Sequence, residues 1–270
     1  MKNIILILFL LTTSAYAEDF QPHLKLEILK NAKLLRTKKF PVAAVTEENK
    51  TLKKLAPLKT SDSGNVGNGG GTIVCNDRRF SLDYQIANDN NYNIVSSNLS
   101  SEKMALILVK LETLFPEKNI TKRFETYIKT LFDSKLWLEF YYETNTAINE
   151  TKLYCGQTAK QSVWRFTKAD GVFFFYNPEQ LSELAENTDQ MAWILTHEWI
   201  WDLLGLDSST RIDLIEKNIS LNIYFHSESF LGSESSEEAK SELLNYGLSS
   251  DLFENVPAEA APLTTPEPIE

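Results

Sequence analysis

The chain has 270 residues, 43% hydrophobic, 11% aromatic and 24% charged, a composition that excludes collagen-like, coiled-coil and wholly disordered classes. Its 27 basic and 37 acidic side chains leave a formal charge of −10 and a pI near 5.0. That is the wrong sign for nucleic acid, whose phosphates call for a basic face.

The first element is a targeting signal. Lys2 precedes the apolar run Ile4 to Leu11, and Ala15-Tyr16-Ala17 puts small residues at the −3 and −1 positions of a signal-peptidase cut before Glu18. The run is far short of the ~20 residues that cross a bilayer. No cysteine follows the cut to carry a lipid, and no later stretch has the length and apolarity of a transmembrane span. Residues 1–17 are therefore read as a signal peptide, and the mature chain as exported, periplasmic or secreted.

Residues 18–66 read as a basic N-terminal segment and linker. Between Glu18 and Thr60 ten Lys/Arg face five Asp/Glu. Leu24, Ile28 and Leu35 lie at helical spacing among lysines. Such a run suits weak contact with an anionic membrane surface, or simply a frayed helix leading into the linker. Pro41, Pro57 and Ser61-Asp62-Ser63-Gly64 continue the linker into Gly67-Asn68-Gly69-Gly70-Gly71. A phosphate loop follows a strand, opens a helix and carries Lys-Ser/Thr. Here the glycines precede the strand-like Thr72-Ile73-Val74-Cys75 and no Lys follows, so the run is expected to be a flexible entry or tight turn.

A single globular domain is expected over residues 67–232. Thr72–Cys75 and Phe80–Gln85 predict a hairpin around Asn76-Asp77-Arg78. Helices follow at Ser101–Phe115, stopped by Pro116, and at Thr121–Phe132. The runs Leu136–Tyr142, Lys152–Cys155, Val163–Thr167 and Val172–Tyr176 are rich in aromatic and β-branched residues and predict strands. Asp170-Gly171 is the turn between the last two. Phe173 to Tyr176 suggest either a sugar-stacking platform or, preferably, a strand buried on both faces. Helices resume at Pro178–Glu186, Thr188–Leu204 and Thr210–Tyr224. This grouping predicts an α+β fold, a small, mostly antiparallel sheet packed with helices, rather than a doubly wound parallel sheet. Residues 233–270 form an acidic tail with one helix at Ser236–Tyr246. Its end, from Pro257, has a composition that favours disorder.

Cys75 and Cys155 are the only cysteines. In an exported chain two cysteines make one disulfide most simply. Neither has the close Cys or His neighbours that a zinc site requires.

The segment with chemical promise is Thr196-His197-Glu198-Trp199-Ile200-Trp201, continuing to Gly205 and Asp207. A His-Glu pair in a long apolar helix resembles the zincin metallopeptidases. Their helix carries His at i and i+4, so that one turn brings both imidazoles to a zinc ion, with the intervening Glu as general base. Position i+4 here is Trp201, which cannot ligate. The alternative ligand set is His197, Asp207 and His226, with Glu198 as base and Zn as cofactor. Against it stands a structural reading. Trp193, His197, Trp201 and Leu204 form one stripe, and Met191, Leu195, Trp199 and Leu203 cover the opposite side. The helix is thus apolar nearly all round, and a buried neutral imidazole with one partner satisfies it.

Gly67-Asn68-Gly69-Gly70-Gly71-Thr72-Ile73-Val74-Cys75, with Leu195-Thr196-His197-Glu198 and Leu204-Gly205 later, is similar to a group of uncharacterised secreted proteins of Bdellovibrio-like predatory bacteria. The resemblance covers roughly residues 67–226. It implies an exported bacterial protein with a shared core, and supplies no mechanism. The expectation is a noncatalytic binding or structural domain on a degenerate zincin-like scaffold, with no cofactor and with an envelope or extracellular protein as partner. The alternative is a metal-dependent, peptidase-like hydrolase using His197 and Glu198.

Overall fold

A computed structural model describes residues 65–68, 70–133, 135–141, 144–145, 153–168, 171–205 and 212–256. The expected signal peptide, nearly all of the basic segment and linker, Asp207 and the stretch from Pro257 lie outside the described residues.

The architecture is α+β, as the clustered order of elements predicts. One sheet has the strand order β1 (Asn65–Asn68), β7 (Val163–Lys168), β8 (Gly171–Tyr176), β4 (Trp137–Glu139). Its pairs are antiparallel except β4 with β8. The second sheet is antiparallel, in the order β3 (Arg78–Ser81), β2 (Gly71–Cys75), β6 (Lys160–Gln161), β5 (Thr144–Asn145). The helices are α1 (Leu82–Asp89), α2 (Ser100–Leu114), α3 (Asn119–Thr130), α4 (Pro178–Ala185), α5 (Gln190–Leu203), α6 (Ile212–His226), α7 (Glu228–Leu231) and α8 (Ser236–Asn245).

The β2–β3 hairpin closes on two residues, Asn76 and Asp77, at φ 51° and 60°. Both occupy the left-handed region that Asn and Asp tolerate better than other side chains, which a tight two-residue hairpin demands. The strand expected to run to Gln85 stops at Ser81, and α1 begins. Alternation at Phe80, Leu82 and Tyr84 imitates a strand. The helical spacing of Leu82 and Ile86 wins because Leu82 and Ala87 become fully buried.

Two other expectations are corrected. Gly67 and Asn68 belong to strand β1, paired with Arg165 and Trp164, and Gly71 opens β2. The glycine run therefore joins two strands in different sheets instead of forming a loose entry. At the expected strand Lys152–Cys155, Tyr154 forms only an isolated bridge to Gln157. Cys155 and Gly156, at φ 51° and 77°, turn the chain there. The bridged cysteines tie this turn to the end of β2, with Cα atoms 5.4 Å apart, as two cysteines in an exported chain predict.

The core lies between the first sheet and the helices, with α5 as its axis. All but Asp202 of the fourteen residues in α5 are buried. Trp199 packs on Phe124 and Phe225, at centroid distances of 4.4 and 5.1 Å. Trp137 and Phe174 stack at 4.4 Å beneath Tyr176. Strand β8 is buried on that face only. Its other face, with Phe173 and Phe175 beside Trp164, Phe166 and Phe140, is half-buried.

Packing continues past the expected boundary at 232. Ala239 and Leu243 of α8 join the main core, and so do Leu248, Leu252 and Phe253. Asn119 N–H donates to Glu254 O at 3.1 Å, and Val256 N–H to Glu117 O at 3.2 Å. Truncation after Val256 is expected to leave the melting temperature within about 2 °C of the intact chain, because its proline-rich, aromatic-free composition brings no core residues. A larger fall on thermal melting would show that the tail contributes to the packed body.

Candidate functional site

Successive residues of an α-helix point about 100° apart, so His197 and Glu198 face different neighbours. His197 looks toward α1 and α6. Its Nδ1–H donates to Asp83 Oδ2 at 2.7 Å, and Asn222 Nδ2 donates to the same oxygen at 2.6 Å. The carboxylate accepts, which fixes the imidazole tautomer with its proton on Nδ1. Asp83, His197 and Asn222 are all buried.

Glu198 looks the other way, toward the glycine run. Its Oε1 accepts the Gly70 N–H at 2.5 Å. Arg165 of β7 donates from one amino group to Glu198 O at 3.1 Å and pairs through the other with Asp202. Burial raises the Glu198 carboxyl above the usual range, and His197, the Gly70 N–H and Arg165 oppose that rise. Glu198 Oε2, Arg165 Nε and the Tyr127 hydroxyl have no hydrogen-bond partner among the described residues. Tyr127 is pushed well above its ordinary range by burial, then by the carboxylates of Glu198 and Asp202.

Helix α6 brings a polar stripe to α5. Asn218, Asn222 and His226 recur every four residues, hence along one face. Asn218 Nδ2 donates to His197 O at 3.1 Å and Asn222 Nδ2 to Trp193 O at 2.9 Å. His226 Nε2 lies 3.3 Å from Thr196 Oγ1, and that hydroxyl spends its own proton on Ala192 O at 2.8 Å. The imidazole is therefore the donor. Its ring stacks on Trp193 with centroids 4.0 Å apart. Burial, followed by the Lys103 ammonium, holds His226 well below the ordinary histidine range, so it is neutral at pH 7.

These contacts locate the residues singled out as ligands and base. His197 is engaged with Asp83, and His226 with Thr196 and Trp193. Trp201, at the position where a zincin carries its second imidazole, meets the His197 ring edge-on at 6.0 Å. Asp207 lies outside the described residues. Among the described residues no three His, Cys, Asp or Glu side chains are grouped to hold a metal ion. Glu198 is 0% exposed, whereas a general base needs hydrogen-bond reach to a water or substrate proton.

Sequence reasoning missed Asp83, Gly70, Arg165, Asn218 and Asn222. A signal existed for the asparagines: polar residues at i, i+4 and i+8 in an otherwise apolar helix mark a face with partners. Asp83 carried none, since in the expected strand Phe80–Gln85 it alternates with Phe80, Leu82 and Tyr84 and falls on the face a half-buried strand turns to solvent.

Gly70 is fixed by its neighbours. A Cβ there would lie 2.7 and 2.9 Å from Ile194 Cδ1 and Cγ2, and 3.5 Å from Glu198 Oε1. Gly70→Ala is expected to destabilise by about 1–3 kcal/mol through overpacking against α5. Urea denaturation of the variant checks this.

Comparison of the chain with protein-family models, with curated proteins and with solved structures finds no match.

Proposed function

We propose that this protein is an exported, noncatalytic domain that works by binding, on a scaffold resembling that of the zincins. The observation that carries this reading is the commitment of the His-Glu pair to the interior. His197 is held by Asp83 and Glu198 by Gly70, each engaged with a different buried partner. A peptidase would instead turn both toward one substrate-accessible point. The signal-like pattern of residues 1–17, the disulfide and the resemblance read from the sequence to secreted proteins of predatory bacteria support export. The binding partner in this reading is an envelope or extracellular protein.

One observation favours the metal-dependent hydrolase. An imidazole that donates to a carboxylate is the arrangement that orients histidine ligands in zinc sites, and His197 donates to Asp83 in this way. In such an enzyme His197 would hold the zinc, which would activate a water, and Glu198 would take its proton.

Metal analysis separates the two readings. The purified mature protein is expected to carry less than about 0.1 equivalent of zinc, against one equivalent for a structural or catalytic site. Glu198→Gln is expected to leave partner binding intact and stability within about 1 kcal/mol of wild type, since the amide oxygen still accepts from Gly70. Stoichiometric zinc that disappears in His197→Ala, with peptidase activity abolished by Glu198→Gln, would overturn the binding reading.

A further inference from the structure

A groove of about 950 Å³ opens beside α8, with no residue of the His-Glu helix among its lining. Its floor includes Tyr224, Leu231 and Tyr246, and its rim carries the exposed carboxylates of Glu228, Glu238 and Glu242. Glu238 and Glu242 are four apart on α8, hence neighbours on one face. No Lys or Arg occurs among the described residues that line the groove. Tyr224 feels the rim: its hydroxyl is pushed up to about 12, chiefly by burial and then by Glu242.

An apolar floor between carboxylates is shaped for a basic amphipathic helix. The chain's own sequence supplies a segment with that pattern of charge and apolar spacing. Residues 24–39 carry six Lys/Arg and one Glu, with Leu24, Ile28 and Leu35 at helical spacing. A helix over 24–35 would be about 18 Å long. The residues from Phe40 to Gly64 can span roughly 80 Å when extended, so reach does not limit the contact. Tethering raises the effective concentration of the segment to the millimolar range, where modest intrinsic affinity suffices.

We propose that the acidic groove is occupied in cis by the basic segment Leu24–Lys39. Docking covers the apolar floor and neutralises the lysines, so the segment acts as a tethered plug that a stronger basic ligand displaces. The proposal is independent of whether the His-Glu helix is catalytic.

The test is zero-length carbodiimide cross-linking of the mature full-length protein at low salt, read by mass spectrometry, beside thermolysin cleavage within 24–35. The monomer fraction is expected to show links from Lys25, Lys30 or Lys33 to Glu228, Glu238 or Glu242. Charge reversal by Glu238→Lys with Glu242→Lys should abolish them and speed cleavage about tenfold, as expected for a docked state favoured ten to one. Both glutamates are exposed, so an unchanged melting temperature is expected to show that the fold persists. Adding Lys30→Glu and Lys33→Glu to the reversed protein should restore protection, which a general loss of structure would not. Links confined to a dimer fraction would assign the groove to a second copy. Protection seen only with anionic phospholipid vesicles would assign the segment to a membrane surface. Either result, or cleavage indifferent to charge reversal, overturns the proposal.

Discussion

Replacing Asp83 by Ala is expected to cost about 3–5 kcal/mol of stability, because two buried donors lose their acceptor at about 1–3 kcal/mol each. Two donors, His197 Nδ1 and Asn222 Nδ2, converge on Asp83 Oδ2, and both would be left buried without that acceptor. His197→Ala should cost less, about 1–3 kcal/mol, through a cavity and an orphaned carboxylate. Because the two side chains share one bond, their effects should not add. The double variant should fall short of the sum by about 1 kcal/mol or more in a double-mutant cycle followed by urea denaturation. Strict additivity would show that the Asp83–His197 contact carries no energy of its own. Asp83→Asn is the graded control, retaining one acceptor oxygen while turning an amino group toward a donor.

Loss of the disulfide should be as damaging. Cys75 and Cys155 close a loop with a sequence separation of 80, and the chain-entropy model assigns such a loop about 4–5 kcal/mol. The bridge holds the end of β2 to the Tyr154–Gln157 turn, within a small cluster that also contains Ile73 and Leu82. Leu82 opens the helix that carries Asp83. Reduction should therefore loosen the same corner that anchors His197. Cys75→Ala with Cys155→Ala, compared with the oxidised protein by equilibrium unfolding, gives the magnitude. Labelling of both cysteines as free thiols in the native exported protein would refute the pairing itself.

Much of the fold was legible because long periodic segments decide themselves. The apolar stripes of α2, α3, α5 and α6 and the β7–β8 hairpin stand within a few residues of where patterning places them. What was illegible depended on partners distant in sequence. Nothing local marks Lys160–Gln161 as a strand: two residues pair with β2 and β5 only because those strands are already there. The glycine run read as an entry loop for the same reason, since the pairing of Gly67 is with Arg165. The core role of α5 was visible from its all-round apolarity. Its polar partners were not, because Asp83 and Arg165 reach it from elements 114 and 33 residues away.

The bonds that define this interior also set the order of events in time. Gly70 waits for Glu198, 128 residues later, and Asp83 for Asn222, 139 residues later. Strand β1 has no ladder until Trp164 to Thr167 exist. A nascent chain therefore cannot complete the first part of its domain while the last third is still being made. Contacts so distant along the chain slow folding, because loop-closure entropy is paid before they form. Under the proposed export, that delay keeps the polypeptide threadable until its far end has crossed, and the disulfide closes afterwards on the oxidising side.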